Sequence, residues 1–285
     1  MGIVMKGADV AKAMKEALIK EAELLKEKGI SACLTIVRVG ARPDDLAYER
    51  GARKRMESIG IECRVLELPE DICQEEFEEK FQKVNEDPNV HGILLFRPLP
   101  KHLDEEPVKA MINPEKDVDC MSPVNIAKVF AGDETGFAPC TPEAVMEMLQ
   151  YFGIELKGRR VTVIGRSMVV GKPLSMLLLK KHATITVCHT RTKDLALTCR
   201  EAQILVAAAG KAKMVTEDMV GEGAVVVDVG INVDDAGNLC GDVDYDAVEN
   251  KASYISPVPG GVGSVTSSVL AKHVIRGAKY LHGME

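Results

Sequence analysis

Between Pro257 and Thr266 the chain reads PVPGGVGSVT. Two prolines fix φ and three glycines remove Cβ atoms, so this stretch is neither helix nor strand interior. A loop that rigid and bare is suited to lie against a small flat ligand, where a plain surface turn would need only one or two such residues. A second glycine-bearing segment, Gly165-Arg166-Ser167-Met168-Val169-Val170-Gly171, follows the apolar run VTVIG and precedes the helix-like LSMLLLK. Glycines placed after a strand and at the start of a helix offer backbone N–H groups and a positive helix end to a pyrophosphate. The spacing is not GxGxxG, and by itself it reads equally well as a strand-to-helix turn. The next apolar run ends in Cys188-His189-Thr190-Arg191 and lacks the carboxylate that holds a ribose 2′-OH in NAD sites. Thr190 can donate a hydrogen bond there, and Arg166 and Arg191 can pair with a 2′-phosphate, which points to NADP rather than NAD. The competing reading leaves both arginines solvated. His189 reads as a packed or capping histidine rather than a catalyst.

A further constellation lies in DDLAYERGARKRMESIG, where Tyr48 and Ala52 are four apart and share a helix face. Tyrosine can stack on an aromatic ligand while its hydroxyl reaches a polar atom. Nothing at Ala52 can move a proton. Arg50, Arg53, Lys54 and Arg55 could attract an anionic substrate tail, or could form a solvated face.

The elements that must position these residues alternate along the chain. A helical stripe over 8–28 ends at Gly29, then come the strand CLTIVRVG, a helix from Pro43 to Gly60, the strand CRVLEL, a helix over 74–86 and the strand GILLF. After a less regular middle from Pro98 to Cys140, the runs VTVIG, TITVCH, ILVAAA and AVVVDVG resume the rhythm. The expected fold class is α/β: two α/β domains flanking a cleft, the second a Rossmann-type doubly wound parallel sheet. Residues 1–140 would form the first domain, completed by a C-terminal helix from 266 to 285, and residues 141–265 the second. The loop at Pro257 would then lie in the cleft. A length of 285 residues, 46% hydrophobic, suits two cores. The net charge of −7 without a basic block argues against nucleic acid, and eight scattered cysteines without a CxxC pair argue for a reducing compartment and no metal site. No apolar run reaches about 18 residues and MGIVMKGADV is not a signal peptide, so a soluble, cytoplasmic protein without membrane contact is expected.

Taken together, RVG before the Tyr48 helix, HGILLFRPLP, PEKDVD, PCTP, VIGRSMVVGKP, TVCHTRT, DVGIN, GDVDY and PVPGGVG resemble, in this order and over nearly the whole chain, the methylenetetrahydrofolate dehydrogenase/methenyltetrahydrofolate cyclohydrolase family. The resemblance implies an enzyme that oxidises 5,10-methylenetetrahydrofolate with NADP and hydrolyses the methenyl product to 10-formyltetrahydrofolate. It also implies a homodimer. It assigns catalytic roles to Tyr48, stacked on the folate, and to Asp119, hydrogen-bonded to the pterin; from the residues alone Asp119 could equally cap a helix or pair with a lysine. Leu95, Phe96, Arg97, Pro257, Gly260, Gly261, Val262 and Gly263 would line the folate. Gly165, Arg166, Ser167, Gly171, Thr190, Arg191 and Ile231 would hold the dinucleotide.

The departures from the pattern bear on one of the two activities. Where the family has a lysine four residues after the tyrosine, this chain has Ala52; where it has the glutamine of GILVQLPLP, this chain has Phe96 followed by Arg97; and PGGVGPMT becomes PGGVG-Ser264-Val265. Hydride transfer moves no proton and chiefly needs positioning. Water addition and ring opening need proton transfers, for which a positioned acid or base is worth about 10²–10⁴-fold. The sequence therefore predicts a dehydrogenase with weak or absent cyclohydrolase activity. The alternatives are a bifunctional enzyme with a relocated base and a folate- and NADP-binding protein without turnover.

Overall fold

The computed structural model describes residues 2–234 and 236–284. The chain begins with β1 (Ile3–Val4) and α1 (Gly7–Glu27), followed by β2 (Cys33–Val39), α2 (Pro43–Ile59), β3 (Glu62–Leu68), α3 (Gln74–Glu86), β4 (Gly92–Leu95), α4 (Glu106–Met111) and α5 (Pro123–Ala131). Then come α6 (Cys140–Tyr151), β5 (Arg160–Ile164), α7 (Gly171–Lys180), β6 (Thr184–Cys188), α8 (Leu195–Arg200), β7 (Ile204–Ala207) and β8 (Val225–Asp228). The short β9 (Asn232–Val233), β10 (Leu239–Cys240), α9 (Tyr245–Val248) and β11 (Tyr254–Ile255) precede the closing helix α10 (Thr266–Leu281).

These elements form two compact units, one of Ala13–Cys140 with the chain from Ser267 onward, the other of the chain up to Lys12 with Thr141–Thr266. The sequence reading assigns the N-terminal dozen residues to the first domain. In the structure β1 instead pairs in parallel with β11, Ile3 beside Tyr254 and Val4 beside Ile255. Two residues have no hydrophobic period of their own, so such a strand is defined only by the edge it joins.

In the first unit β2 runs between β3 and β4, all parallel. All seven residues of β2 are buried, as expected of a parallel strand covered on both faces. Val37, Leu95, Phe77, Phe81 and Ile93 share one core. α2 starts at Pro43 after an extended Arg42, carries Asp44 and Asp45 in its first turn, and stops where Gly60 takes a left-handed φ of 87°. The irregular middle contributes α4 and α5, and Asp117 bridges Ile93 beside β4.

The second unit holds a six-stranded sheet in the order β1-β11-β8-β7-β5-β6, every neighbouring pair parallel. From β5 the chain steps outward to β6, then returns across to β7, β8 and β11. The order therefore reverses between β5 and β7, and in open α/β sheets the carboxyl ends of the strands at such a reversal are where ligands bind.

One buried histidine ties the end of α10 to the first unit's sheet and gives that unit a pH dependence. His91 accepts from the Cys33 N–H through Nδ1 at 3.2 Å, and its Nε2 lies 3.3 Å from His282 Nε2. Burial, reinforced by His282, Lys116 and Arg64 and only partly offset by Asp87, lowers its pKa from 6.5 to about 4. Above pH 6.5 the imidazole is neutral whether the chain is folded or not; below it only the unfolded chain takes up the proton, until the folded pKa is reached. Stability is thus expected to fall by roughly 2–3 kcal/mol as pH drops through this window. Urea midpoints at pH 7 and pH 4.5 should differ less for His91→Gln than for the natural chain.

Candidate active site

In the first unit the site residues stand on α2, at the end of β4 and in the segment that follows Lys116. Tyr48 is 42% exposed, and its ring meets that of Phe96 edge-on, centroids 5.6 Å apart at 64°. Ala52 is 1% exposed, one turn further along. Lys54 is exposed, on a different face of the helix from Ala52. Of the basic cluster, Arg53 lies 3.7 Å from Glu49 and Arg55 donates to Ser267 Oγ at 3.3 Å, so neither is held ready for a substrate tail. Leu95 points into the core, leaving only its backbone for a ligand.

α2 is held by an ion pair that the sequence reading missed. Arg38, buried in β2, donates from Nε to Glu49 at 2.8 Å and reaches Glu67 at 2.8 Å, with a further bond to the Gly40 carbonyl. Glu49 directly follows Tyr48, so this pair fixes the turn that presents the tyrosine. The available signal was an arginine inside an otherwise apolar strand.

Asp119 is held with equal definition. Lys116 is buried and donates to the carbonyls of Asn85 and Asp87 at 2.7 and 2.8 Å. Asp117, also buried, accepts from the N–H groups of Met121 and Ser122 at 2.8 and 2.9 Å and from Asn125 Nδ2 at 2.9 Å. Between these anchors and α6, Asp119 Oδ1 accepts from the Cys140 N–H at 2.9 Å, at the positive N-terminus of that helix. Its second oxygen has no hydrogen-bond partner among the described residues. Of the readings open from the sequence, the helix cap is therefore made, by one oxygen only. Half-buried Arg97 lies close enough to act on the Cys120 thiol, which burial and the Asp117 and Asp119 carboxylates push far above its ordinary pKa.

In the second unit the turn from β5 into α7 sits at the carboxyl end of the sheet. Gly165 has φ +132°, and a Cβ there would lie 2.1 Å from the Ala208 carbonyl oxygen; one on Gly171 would lie 2.1 Å from the Gly165 oxygen. Only glycine lets these backbones pack so closely and leaves the turn bare. Ser167 Oγ accepts from the Val170 N–H at 3.0 Å, while Arg166 and Ser167 are exposed. After β6, His189 Nδ1 accepts from the Arg191 N–H at 3.1 Å and the His189 N–H donates to Thr192 Oγ1 at 2.8 Å, so this histidine builds a turn. Thr190 and Arg191 project from it into solvent, and neither Arg166 nor Arg191 has an ion-pair partner among the described residues.

Two buried aspartates shape the loops after β7 and β8. Asp242 accepts from the N–H groups of Ala209, Gly210 and Lys211 at 2.6, 3.0 and 2.8 Å and from Asn232 Nδ2 at 2.9 Å. Asp228 accepts from Gly230, Asp242 and Val243, and burial pushes its pKa up to about 6 against the pull of those three donors. Between them they present Ile231, 71% exposed. In the sequence Asp228 shows only as an acid closing the apolar run AVVVDVG. In the Pro257 loop, Gly260 O accepts from the Gly7 N–H at 2.8 Å, Gly261 and Val262 are buried, and Pro257 is half-buried. Gly260 and Gly263 remain exposed, so the loop can offer a ligand backbone rather than side chains.

The two units offer different chemistry: an oriented carboxylate and an exposed tyrosine ring suit a planar N–H-bearing ring, and a bare glycine turn with arginines that have no ion-pair partner among the described residues suits a phosphorylated dinucleotide. No group of three or more His, Cys, Asp and Glu residues able to hold a metal ion occurs among the described residues. Among the described residues, no helix is long and apolar enough to cross a membrane.

Comparison with known proteins covers both units. Residues 5–119 match the catalytic domain, and residues 139–282 the NAD(P)-binding domain, of the tetrahydrofolate dehydrogenase/cyclohydrolase family. The bifunctional protein FolD of Clostridioides difficile (strain 630) is 62% identical over 98% of this chain and 97% of its own. Among solved structures, the bifunctional FolD of Campylobacter jejuni superposes with a TM-score of 0.96 at 40% identity, covering 98% of this chain and 99% of that one. The Trypanosoma brucei FolD, complexed with NADP cofactor and inhibitor, gives 0.92 at 38% identity, covering 98% of each chain. Since the two family models between them match nearly the whole length, the chain belongs to the tetrahydrofolate dehydrogenase/cyclohydrolase family.

Proposed function

We propose that this protein is a bifunctional enzyme that oxidises 5,10-methylenetetrahydrofolate with NADP and hydrolyses the methenyl product to 10-formyltetrahydrofolate. The observation that carries this reading is the 62% identity, along 98% of the chain, to a relative named bifunctional. It displaces the dehydrogenase-only expectation from first place. NADP, when bound, accepts the hydride that leaves the folate methylene carbon. The chain's own part in that step is positioning: Tyr48 stacks on the folate and Asp119 accepts from the pterin N–H edge. The close-packed glycines at 165 and 171 fit a pyrophosphate, with Ser167, Thr190 and Ile231 around the nucleotide. In the second step water adds to the methenyl carbon and loses both of its protons in turn, one released to solvent and one taken up by N5 as the C–N5 bond breaks and the formyl C=O forms.

Arg166 and Arg191 would select the 2′-phosphate. Replacing both with Ala is expected to raise the KM for NADP by about 10–100-fold, the size of one lost charge-assisted bond, while NAD-supported turnover changes less than twofold. Steady-state rates with each cofactor check this. A homodimer is proposed as well, for which β6, an edge strand with an exposed Val187, offers an unpaired sheet edge. The eight free cysteines fit a cytoplasmic setting.

A second reading, hydride transfer without hydrolysis, is favoured by one observation: position 52 holds a buried alanine and position 96 an aromatic ring. A continuous absorbance record with 5,10-methylenetetrahydrofolate and NADP, resolving NADPH from the methenyl product, separates the two. Removal of the methenyl product faster than in the enzyme-free blank supports bifunctionality. Its accumulation one for one with NADPH, decaying at the blank rate, supports the second reading, and the absence of NADPH overturns both.

A further inference from the structure

The peptide that carries Asp119 is gripped from the far side by the C-terminal helix. His273, on α10, is fully buried, and its Nδ1 lies 2.8 Å from the Val118 carbonyl oxygen. A carbonyl only accepts, so Nδ1 carries the proton and donates. The same oxygen receives the Cys140 thiol at 3.4 Å, and the Cys140 N–H is the group that holds Asp119 Oδ1 at 2.9 Å. Cys140 Sγ and His273 Nδ1 are 3.9 Å apart. The imidazole also packs on Phe137, ring centroids 5.2 Å apart. One turn beyond His273, a Cβ on Gly277 would stand 2.3 Å from the His91 oxygen and 3.0 Å from the Glu115 oxygen, so α10 is seated directly on the backbone that leads into Asp119.

We propose that His273 is a positioning residue for Asp119: by donating to the Val118 carbonyl it sets the peptide plane from which the carboxylate projects, so that folate affinity depends on a side chain buried behind the site. This rests on the reading of Asp119 as the carboxylate that receives the folate. The oxygen left open on Asp119 can meet a ligand only if both the Cys140 N–H and the backbone on its N-terminal side stay in place, and His273 donates to that backbone carbonyl at 2.8 Å, closer than the Cys140 thiol at 3.4 Å.

The test is tetrahydrofolate binding by calorimetry to the full-length protein and its variants, with NADP binding measured alongside. His273→Leu is expected to raise the tetrahydrofolate Kd about tenfold, the size of a lost buried hydrogen bond, with the NADP Kd within twofold. His273→Asn, whose Nδ2 occupies the place of Nδ1, should restore affinity to within threefold, whereas His273→Gln, with its amide one bond further out, should not. In an Asp119→Asn background the His273→Leu change should add less than twofold, because both act through one carboxylate. Equal effects in the two backgrounds, or an Asn variant no better than Leu or Gln, would overturn the proposal. If His273→Leu does not fold, the Asn and Gln pair carries the same comparison. Failure of the unaltered protein to bind tetrahydrofolate would instead overturn the reading of Asp119 on which the proposal rests.

Discussion

Asp119→Ala is expected to raise the KM for the methylene folate by about two orders of magnitude while the NADP affinity stays within twofold. The carboxylate is already oriented before any ligand arrives, since its Oδ1 is held by the Cys140 N–H at 2.9 Å. The free oxygen can accept from an N–H edge, and hydrogen bonds to a charged group contribute about 1.5–3 kcal/mol each. One such bond corresponds to roughly 10–160-fold. Asp119→Asn separates this role from the helix cap. Its amide oxygen can keep the Cys140 N–H, which leaves the NH₂ group facing the ligand's own donors. Folate affinity should therefore fall nearly as far as in the Ala variant, while stability is retained. Asp119→Ala additionally loses the cap, for about 0.5–2 kcal/mol. Steady-state kinetics and urea midpoints for both variants check this, and an Asn variant with unchanged KM would remove Asp119 from the folate site.

The second large effect is expected at Gly165. A Cβ there meets the Ala208 carbonyl oxygen at 2.1 Å, at a φ of +132° that L side chains rarely adopt. The neighbourhood cannot yield easily. Gly165 N–H donates to the Cys188 oxygen at 2.9 Å on one side, and the Ala208 N–H donates to the Ile164 oxygen at 2.8 Å on the other, so a shift would part β5 from both neighbours. Backbone strain and overpacking each cost about 1–3 kcal/mol, so Gly165→Ala should lose roughly 2–6 kcal/mol of stability. Whatever folds should bind NADP at least 100-fold more weakly, because the turn that presents its backbone to the pyrophosphate has moved. Tetrahydrofolate binding should change less than threefold, since Tyr48 and Asp119 stand in the other unit. Titrating the two ligands separately distinguishes a local lesion from general unfolding; equal losses for both would point to unfolding.

Much of the architecture was legible in the sequence because it is local. The helix expected over 74–86 and the last helix from 266 coincide with α3 and α10, and the apolar runs at 33, 161 and 204 begin within one residue of β2, β5 and β7. A period of 3.6 or an unbroken apolar run encodes an element by itself, and a proline or glycine marks its end. The glycine turn at 165–171 was readable for the same reason, as were the alanine at 52 and the phenylalanine at 96, whose consequence for hydrolysis the relatives' bifunctional names do not support.

Only the tertiary structure decided what depends on residues distant in sequence. β1, β9, β10 and β11 are two residues each, too short for any period, and exist because a partner strand accepts their backbone groups. The same holds for the site. That Arg38 pairs with Glu49, that Asp242 gathers three N–H groups from the loop after β7, and that Asp119 spends one oxygen on α6 and keeps the other open follow from burial, which forces each charged or polar group to find a partner wherever the packed chain supplies one. Residue types and spacing determined which chemistry this protein has at its disposal. Packing decided which of those groups are spent holding the structure and which are left to meet a ligand.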